Sequence, residues 1–360
     1  MDRWLMVAID YTTALPGDRS PRARRVAFGL AGLLLLTCLL SLSHGASGVR
    51  LDAALDAWLS GDAMPDRDRL ILWEIRLPRM LTGVLVGASL AVGGAVMQGL
   101  FRNPLADPGL VGVGAGAGLG AVLAIVLGGQ APAWVAAWLG WHMVPVAAFL
   151  GGWLSTMVLY RVSTRAGRTS TATMLLAGIA LGALAGAATG ILVYIADDRQ
   201  LRDLTFWGLG SLGGASWPKI AAAGPVMLLA LVAAPFLARG LNGLALGEAA
   251  AHHIGLPVQR VKHVAILTVA AATGAAVAVS GGIGFIGIVV PHLLRLATGP
   301  DHRYLLVNAA LLGATLLLLA DLIARSIIAP AELPIGIVTA VIGAPVFLGI
   351  LLRRRGLVDM

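Results

Sequence analysis

The chain is short of charge, almost without lysine, and has a single cysteine. Charged residues make up 12% of its 360 positions, against about 25% in a soluble globular domain, so a conventionally hydrated surface is excluded. Cys38 stands alone inside the first apolar run, so no intrachain disulfide can form. The two lysines are Lys219, after Pro218, and Lys262, after Val261. A phosphate-binding loop of the G-x-x-x-x-G-K-[ST] kind needs a lysine directly after glycine to reach the phosphates, so the chain does not hydrolyse nucleotide by that route. Metal-site spacing of His, Cys, Asp and Glu is also missing. His252 and His253 are adjacent and point about 100° apart on a helix, and His292, after Pro291, reads as a structural hydrogen-bonding residue. No cofactor is expected on this chain.

What remains is overwhelmingly apolar. Hydrophobic residues make up 58% of the sequence, mean hydropathy is +0.87, and there are 47 glycines. Small residues in that number suit closely packed membrane helices. Apolar runs near the roughly 20 residues needed to cross a bilayer predict ten spans: Val26–Leu42, Met80–Leu100, Gly109–Leu127, Val144–Tyr160, Ala172–Ile195, Ile220–Leu237, Val264–Val279, Ile283–Leu296, Leu305–Ile328 and Ile335–Leu352. The eighth is short and is interrupted by Gly284, Gly287 and Pro291. An even number puts both termini on one side. With the N-terminus inside, 17 of the 26 basic residues fall in cytosolic segments, and 11 of the 18 acidic ones fall outside. The positive-inside rule therefore predicts cytosolic termini, and the net charge of +8 is topology rather than a nucleic-acid footprint. The basic stretch before the first span is long, so that helix is expected to stay uncleaved despite the SHGASG that follows it. The organisation expected is a cytosolic segment over residues 1–25 and one transmembrane domain over 26–355.

Within that domain the polar block from Gly240 to Arg260 stands out. It carries Glu248, His252, His253 and Arg260 between two apolar stretches, with a short helix expected from Leu246 to His253. A connection of 240–262 is far longer than a turn needs, and reads as a cytosolic surface built for a partner to grip. Two glycine strips repeat every fourth residue: Gly112, Gly116 and Gly120 on the third span, and Gly178, Gly182, Gly186 and Gly190 on the fifth. The fifth is expected to pack against a neighbour or line a path. Asp321 and Arg325 lie one turn apart in the ninth span, which allows either a proton relay or a satisfied ion pair.

Specific motifs then carry a resemblance. IRLPRMLTGVLVGASLAVGGAVMQGLFRNPLADPGLVGVGAGAGLGAV, STATMLLAG, LGEAAAHHIGLPVQRVK, GGIGFIGIVVPHLLRLATGPDHR and ELPIGIVTAVIGAPVFLGILLRR resemble, in order and over nearly the whole chain, the iron-siderophore, vitamin B12 and heme permeases. These are the membrane subunits of type II ABC importers. The resemblance implies an all-α integral membrane fold of about ten transmembrane helices in a bacterial inner membrane. It implies a homodimer whose path is lined by the fifth and tenth helices, two cytosolic ABC ATPase subunits that bind ATP and Mg, and a periplasmic binding protein for heme or siderophore. By the same resemblance, Leu246, Gly247, Glu248, Ala249, Ala250, His252 and His253 would couple to the ATPase. Arg76, Arg79 and Arg325 would dock glutamates of the binding protein. Asn103, Leu105, Ser170 and Thr171 would form the cytoplasmic gate, positions that an ordinary turn and a helix N-cap would explain equally well.

The stretch from Tyr194 to Trp217 is most similar to the heme-permease branch. There Arg199 and Arg202 are candidates for meeting propionates, or are simple surface charge. A ferric siderophore or cobalamin is the alternative cargo. A proton-coupled secondary transporter would instead require a midplane relay, and a membrane enzyme a catalytic constellation that the sequence does not offer.

Overall fold

The computed structural model describes residues 18–45, 60, 65–166 and 168–354, so most of the 1–25 segment and Arg355 lie outside the described residues. Each of the ten predicted spans falls on a helix. Eight described helices are long and apolar enough to cross a membrane, and two apolar helices are shorter. With the short connecting helices included, the α-helices in chain order are α1 (Ser20–Ser43) and α2 (Asp66–Leu100), then α3 (Val113–Leu127), α4 (Ala133–Leu139) and α5 (Met143–Ser163). A two-residue-per-strand hairpin follows, β1 (Thr164–Arg165) and β2 (Arg168–Thr169). Beyond it come α6 (Thr171–Ile195), α7 (Asp198–Leu209), α8 (Trp217–Ala245), α9 (Glu248–His253) and α10 (Val258–Ser280). The chain closes with α11 (Ile286–Thr298), α12 (His302–Ser326) and α13 (Ile335–Arg354).

Several boundaries differ from the sequence expectation, each for a local reason. The second span continues toward the N-terminus as far as Asp66, through a π-helical turn at Ile71–Arg76. The charged DRDRL and the Glu74 there are too polar for the bilayer, which hid this part of the helix. The eighth span begins at Ile286 rather than Ile283, because Gly281 (φ +71°) and Phe285 (φ +67°) keep the preceding chain out of helical geometry. Pro291 inside α11 has no N–H for the Gly287 carbonyl one turn back. The Gln98 side-chain amide of α2 donates to Gly287 O at 3.4 Å and Ile288 O at 3.2 Å instead.

The core is built around α2, which is buried along most of its length and packs against α8, α10, α11 and α12. Glycine sets how close these helices come. A Cβ on Gly87 would stand 2.4 Å from Gly313 O of α12, and one on Gly94 would stand 1.8 Å from Gly287 O of α11. The third-span strip behaves the same way: a Cβ on Gly116 or Gly120 would strike the carbonyl of Gly151 or Ala147 on α5. The fifth-span strip does not. A Cβ on Gly182, Gly186 or Gly190 of α6 would have nothing within 4 Å, so these three positions meet no neighbour among the described residues. The helix caps are conventional: Ser170 Oγ accepts from Thr173 N, and Asp197 with Gln200 forms a capping box on α7.

Replacing Gly87 by valine forces backbone atoms apart, and overpacking of this kind costs roughly 1–3 kcal/mol. The expected result is a clear fall in thermal unfolding temperature of the detergent-solubilised chain, while Gly186→Val leaves the fold of the single chain unchanged.

Candidate functional site

Functional candidates collect at the two ends of the helix bundle. At the end carrying the start of α1, the segment read as a polar loop is mostly helical. Gly240, Leu241, Gly243 and Leu244 are buried in the last turns of α8, and the short helix expected from Leu246 runs only over α9. Leu246 closes α8 instead, and Gly247 at φ +104° breaks the chain between the two helices, a conformation that favours glycine. Ala251 is the buried residue of α9, while Ala249, His252 and His253 are exposed. Leu246 and Ile254, 70% and 62% exposed, flank it. A short helix presenting apolar shoulders and two imidazoles is a surface suited to a partner.

Two neighbouring segments reach this helix. Arg102, in the loop after α2, brings its guanidinium 3.8 Å from where a Cβ of Gly247 would sit. Glu248 pairs with the buried Lys262 at 2.7 Å, and Lys262 donates to Thr169 O at 2.8 Å. The gate candidates lie on these same two segments. Asn103 Oδ1 accepts from Leu105 N at 2.9 Å, and Ser170 is the N-cap of α6 with Thr171 its first residue. Both conventional roles, turn and cap, are therefore filled. Nearby, Asp301 caps α12 through Arg303 N and also binds Asn242 Nδ2 at 2.7 Å. Burial alone would raise this carboxyl, but hydrogen bonds from Arg303 and Asn242 outweigh it and hold the pKa at about 2.

At the opposite end the three arginines expected to dock a partner are drawn inward. Arg79 lays its guanidinium on Asp321 (Nη2 to Oδ1, 2.8 Å) and on Glu332 (Nη1 to Oε1, 2.8 Å). Arg325 Nε lies 3.6 Å from Asp321 Oδ2, and its Nη2 donates to Ser41 O and Oγ. Arg76 donates to Leu42 O and Ser43 O. All three are under 9% exposed and form a buried cluster shared by α1, α2 and α12. For Arg79 and Arg325 the reason is Asp321, which is fully buried and requires counter-charge, while Arg76 is held by the carbonyls at the end of α1. Of its two readings from sequence, the satisfied ion pair is the one present, and Arg79 is its closer partner. Glu332 alone in this cluster stays open, with a side chain 42% exposed.

Arg199 and Arg202 lie exposed on α7, beside Asp198 and Asp203. Sequence reasoning missed α7 itself, although Asp197-x-x-Gln200 is a legible capping box. It also missed Lys262 and Glu332, whose partners are distant in sequence. Among the described residues there is no group of three or more His, Cys, Asp or Glu able to hold a metal ion.

The FecCD transport family description matches residues 33–353. The chain belongs to this family. It is 46% identical over 329 residues to the hemin transport system permease HmuU of Yersinia pestis, covering 91% of this chain and 96% of that one. It is 44% identical over 334 residues to the vitamin B12 import system permease BtuC of Escherichia coli O9:H4 (strain HS), covering 91% and 94%. A solved metal-chelate type ABC transporter in an inward-facing conformation superposes with a TM-score of 0.80 at 33% identity, covering 92% of this chain and 99% of that one. The FecCD chain described here is thus a multi-pass ABC importer permease, a transport subunit and not an enzyme. Membership implies a dimeric assembly with ATPase and binding-protein partners.

Two outcomes follow for this FecCD permease. Asp321→Asn removes the carboxylate between two buried guanidiniums and is expected to cost about 3–5 kcal/mol; Glu332→Gln, half in solvent, should cost about 1 kcal/mol or less. Thermal unfolding of the two variants in detergent measures the difference. Asp301, depressed in the folded chain, contributes stability that is present above its unfolded pKa and lost as pH falls through about 2. Amide protection factors at the start of α12, corrected for intrinsic exchange, should therefore be unchanged between pH 7 and 5.

Proposed function

We propose that this permease moves heme from a periplasmic binding protein into the cytoplasm, by alternating access at the interface of two copies. The observation that carries the transport mechanism is α6. Gly182, Gly186 and Gly190 of its strip meet nothing among the described residues and only 11% of its most apolar window is buried, although close approach of a second backbone is what such strips favour. A second copy laid on that face brings two α6 helices, each capped at Ser170, to a common axis. Asn103, Leu105, Ser170 and Thr171 are then the cytoplasmic gate, and α9, with Leu246 to His253 around it, is the element an ATPase displaces. The surplus of basic residues on the α9 side supports cytoplasmic termini. ATP and Mg belong to the partner ATPase.

On the outer face, Arg79 is held both by the buried Asp321 and by Glu332, whose side chain is 42% exposed. Glu332 is the carboxylate most easily displaced, so an acidic group of the binding protein can take its position on Arg79. For the cargo, what supports heme is the pair Arg199 and Arg202, exposed on an amphipathic helix next to α6 in a segment similar to heme permeases; guanidinium forks suit propionates. Cobalamin and ferric siderophores are the alternatives, the former favoured by an identity to the vitamin B12 permease within two points of that to the hemin permease.

Uptake into proteoliposomes holding the permease, its ATPase and the cognate binding protein decides among these. Heme is expected to accumulate only with ATP, and cobalamin and ferric siderophores not to accumulate. Deleting Glu248–His253 should leave the dimer assembled and abolish ATP-driven uptake; uptake driven by a proton gradient without the ATPase would overturn the reading.

A further inference from the structure

Between the short helix α9 and the start of α6 lies a connection that the backbone does not make. Lys262 on α10 is 2% exposed and heads the fully buried side chains by volume among the described residues. Its ammonium touches two segments at once, Glu248 Oε1 on α9 at 2.7 Å and Thr169 O on β2 at 2.8 Å. One turn earlier on the same face, Gln259 Oε1 accepts from Thr169 N at 2.9 Å. Both backbone groups of Thr169 are thus held by α10 side chains, and the next residue, Ser170, caps α6. Thr169 is further tied to Thr164 by a hydroxyl contact of 2.9 Å. A hairpin this small needs no buried lysine merely to close. An ammonium at this depth is tolerated because it is paired, and its carboxylate comes from α9, a six-residue helix with one buried residue, Ala251.

We propose that Glu248, Lys262 and Gln259 form a strut that carries displacement of α9 to the first turn of α6, with Lys262 the positioning residue of the gate. This rests on the reading of α9 as the coupling element. If α9 moves and Lys262 does not follow, the buried ammonium loses its carboxylate, which is the costlier outcome. The contact therefore travels with the helix and takes Thr169, and the cap at Ser170, along with it. Two elements roughly eighty positions apart in sequence act as one lever because a single side chain bridges them.

The test is nucleotide-dependent disulfide crosslinking between the two copies through Thr171→Cys, in a Cys38→Ser background, with the full importer in proteoliposomes and ATP hydrolysis followed in parallel. Lys262→Met keeps the apolar stem and removes the ammonium, leaving Glu248 to solvent. The expected result is continued ATP hydrolysis with the nucleotide response of the crosslink reduced about 5-fold or more, the size of an ordinary coupling term. Lys262→Arg, which can still reach both partners, should restore it. A response in Lys262→Met equal to that of the parent overturns the strut. If Lys262→Met does not assemble, Gln259→Leu, which keeps the ion pair and frees only Thr169 N, carries the test: a weakened response supports the strut and an undiminished one overturns it. A parent importer whose crosslink ignores nucleotide would sink the gate reading itself, and the strut with it.

Discussion

The close approach of α2 and α12 is the contact on which the rest depends. Gly87 and Gly313 let the two backbones touch, and because the helices run antiparallel, the register is then fixed along their whole length. Eight positions back from Gly87 is Arg79, and eight positions on from Gly313 is Asp321, the pair that meets at 2.8 Å. Eight residues of helix span about 12 Å on each side, so the ion pair is a consequence of where the glycines sit. In the other direction the same register brings Gly99 against His302. A larger side chain at the crossing would separate the carboxylate from its guanidiniums and leave charge buried without a partner, a heavier cost than the lost packing.

That rigid frame contrasts with what is attached to it. α2 and α10 are enclosed by other helices, whereas α6 and α13 present much of their surface outward. In a bilayer there is no hydrophobic gain from pressing helices together, so association relies on close van der Waals contact and on polar groups that satisfy each other. The chain places its glycines accordingly, on α2 with α11 and α12, on α3 with α5, and on an α6 face left for a neighbour. Polar groups follow the same logic. Gln98 donates to the Gly287 carbonyl that Pro291 leaves without a donor, Ser41 engages Arg325, and Lys262 is shared by Glu248 and Thr169. Each removes an unsatisfied group from a low-dielectric interior, where it would be expensive.

Such an arrangement suits a transport subunit that performs no chemistry of its own. Movement has to enter at one end and appear as a change of access, which requires stiff elements joined by a few specific contacts rather than a continuously soft body. The buried cluster at one end and the Lys262 bridge at the other tie distant segments by charge, and both leave one partner, Glu332 or Glu248, partly exposed.

The sequence by itself determined the class, the number of apolar helices and the family, because these depend on local composition, run length and motif order. It also announced the break around α9, since glycine at Gly247 and Gly255 acts locally. It did not reveal α7, where a mixed-charge helix lacks the apolar run that marks a span, or the extension of α2 to Asp66, for the same reason. Only the tertiary structure decided which glycine strip is used inside the chain and which is left open, because spacing alone cannot say what faces it. Likewise Arg79 read as a docking residue with no partner inside the chain until Asp321, more than two hundred residues away, drew it in. Pairings of that range are set by helix register, and register is a property of packed backbones that no local pattern encodes.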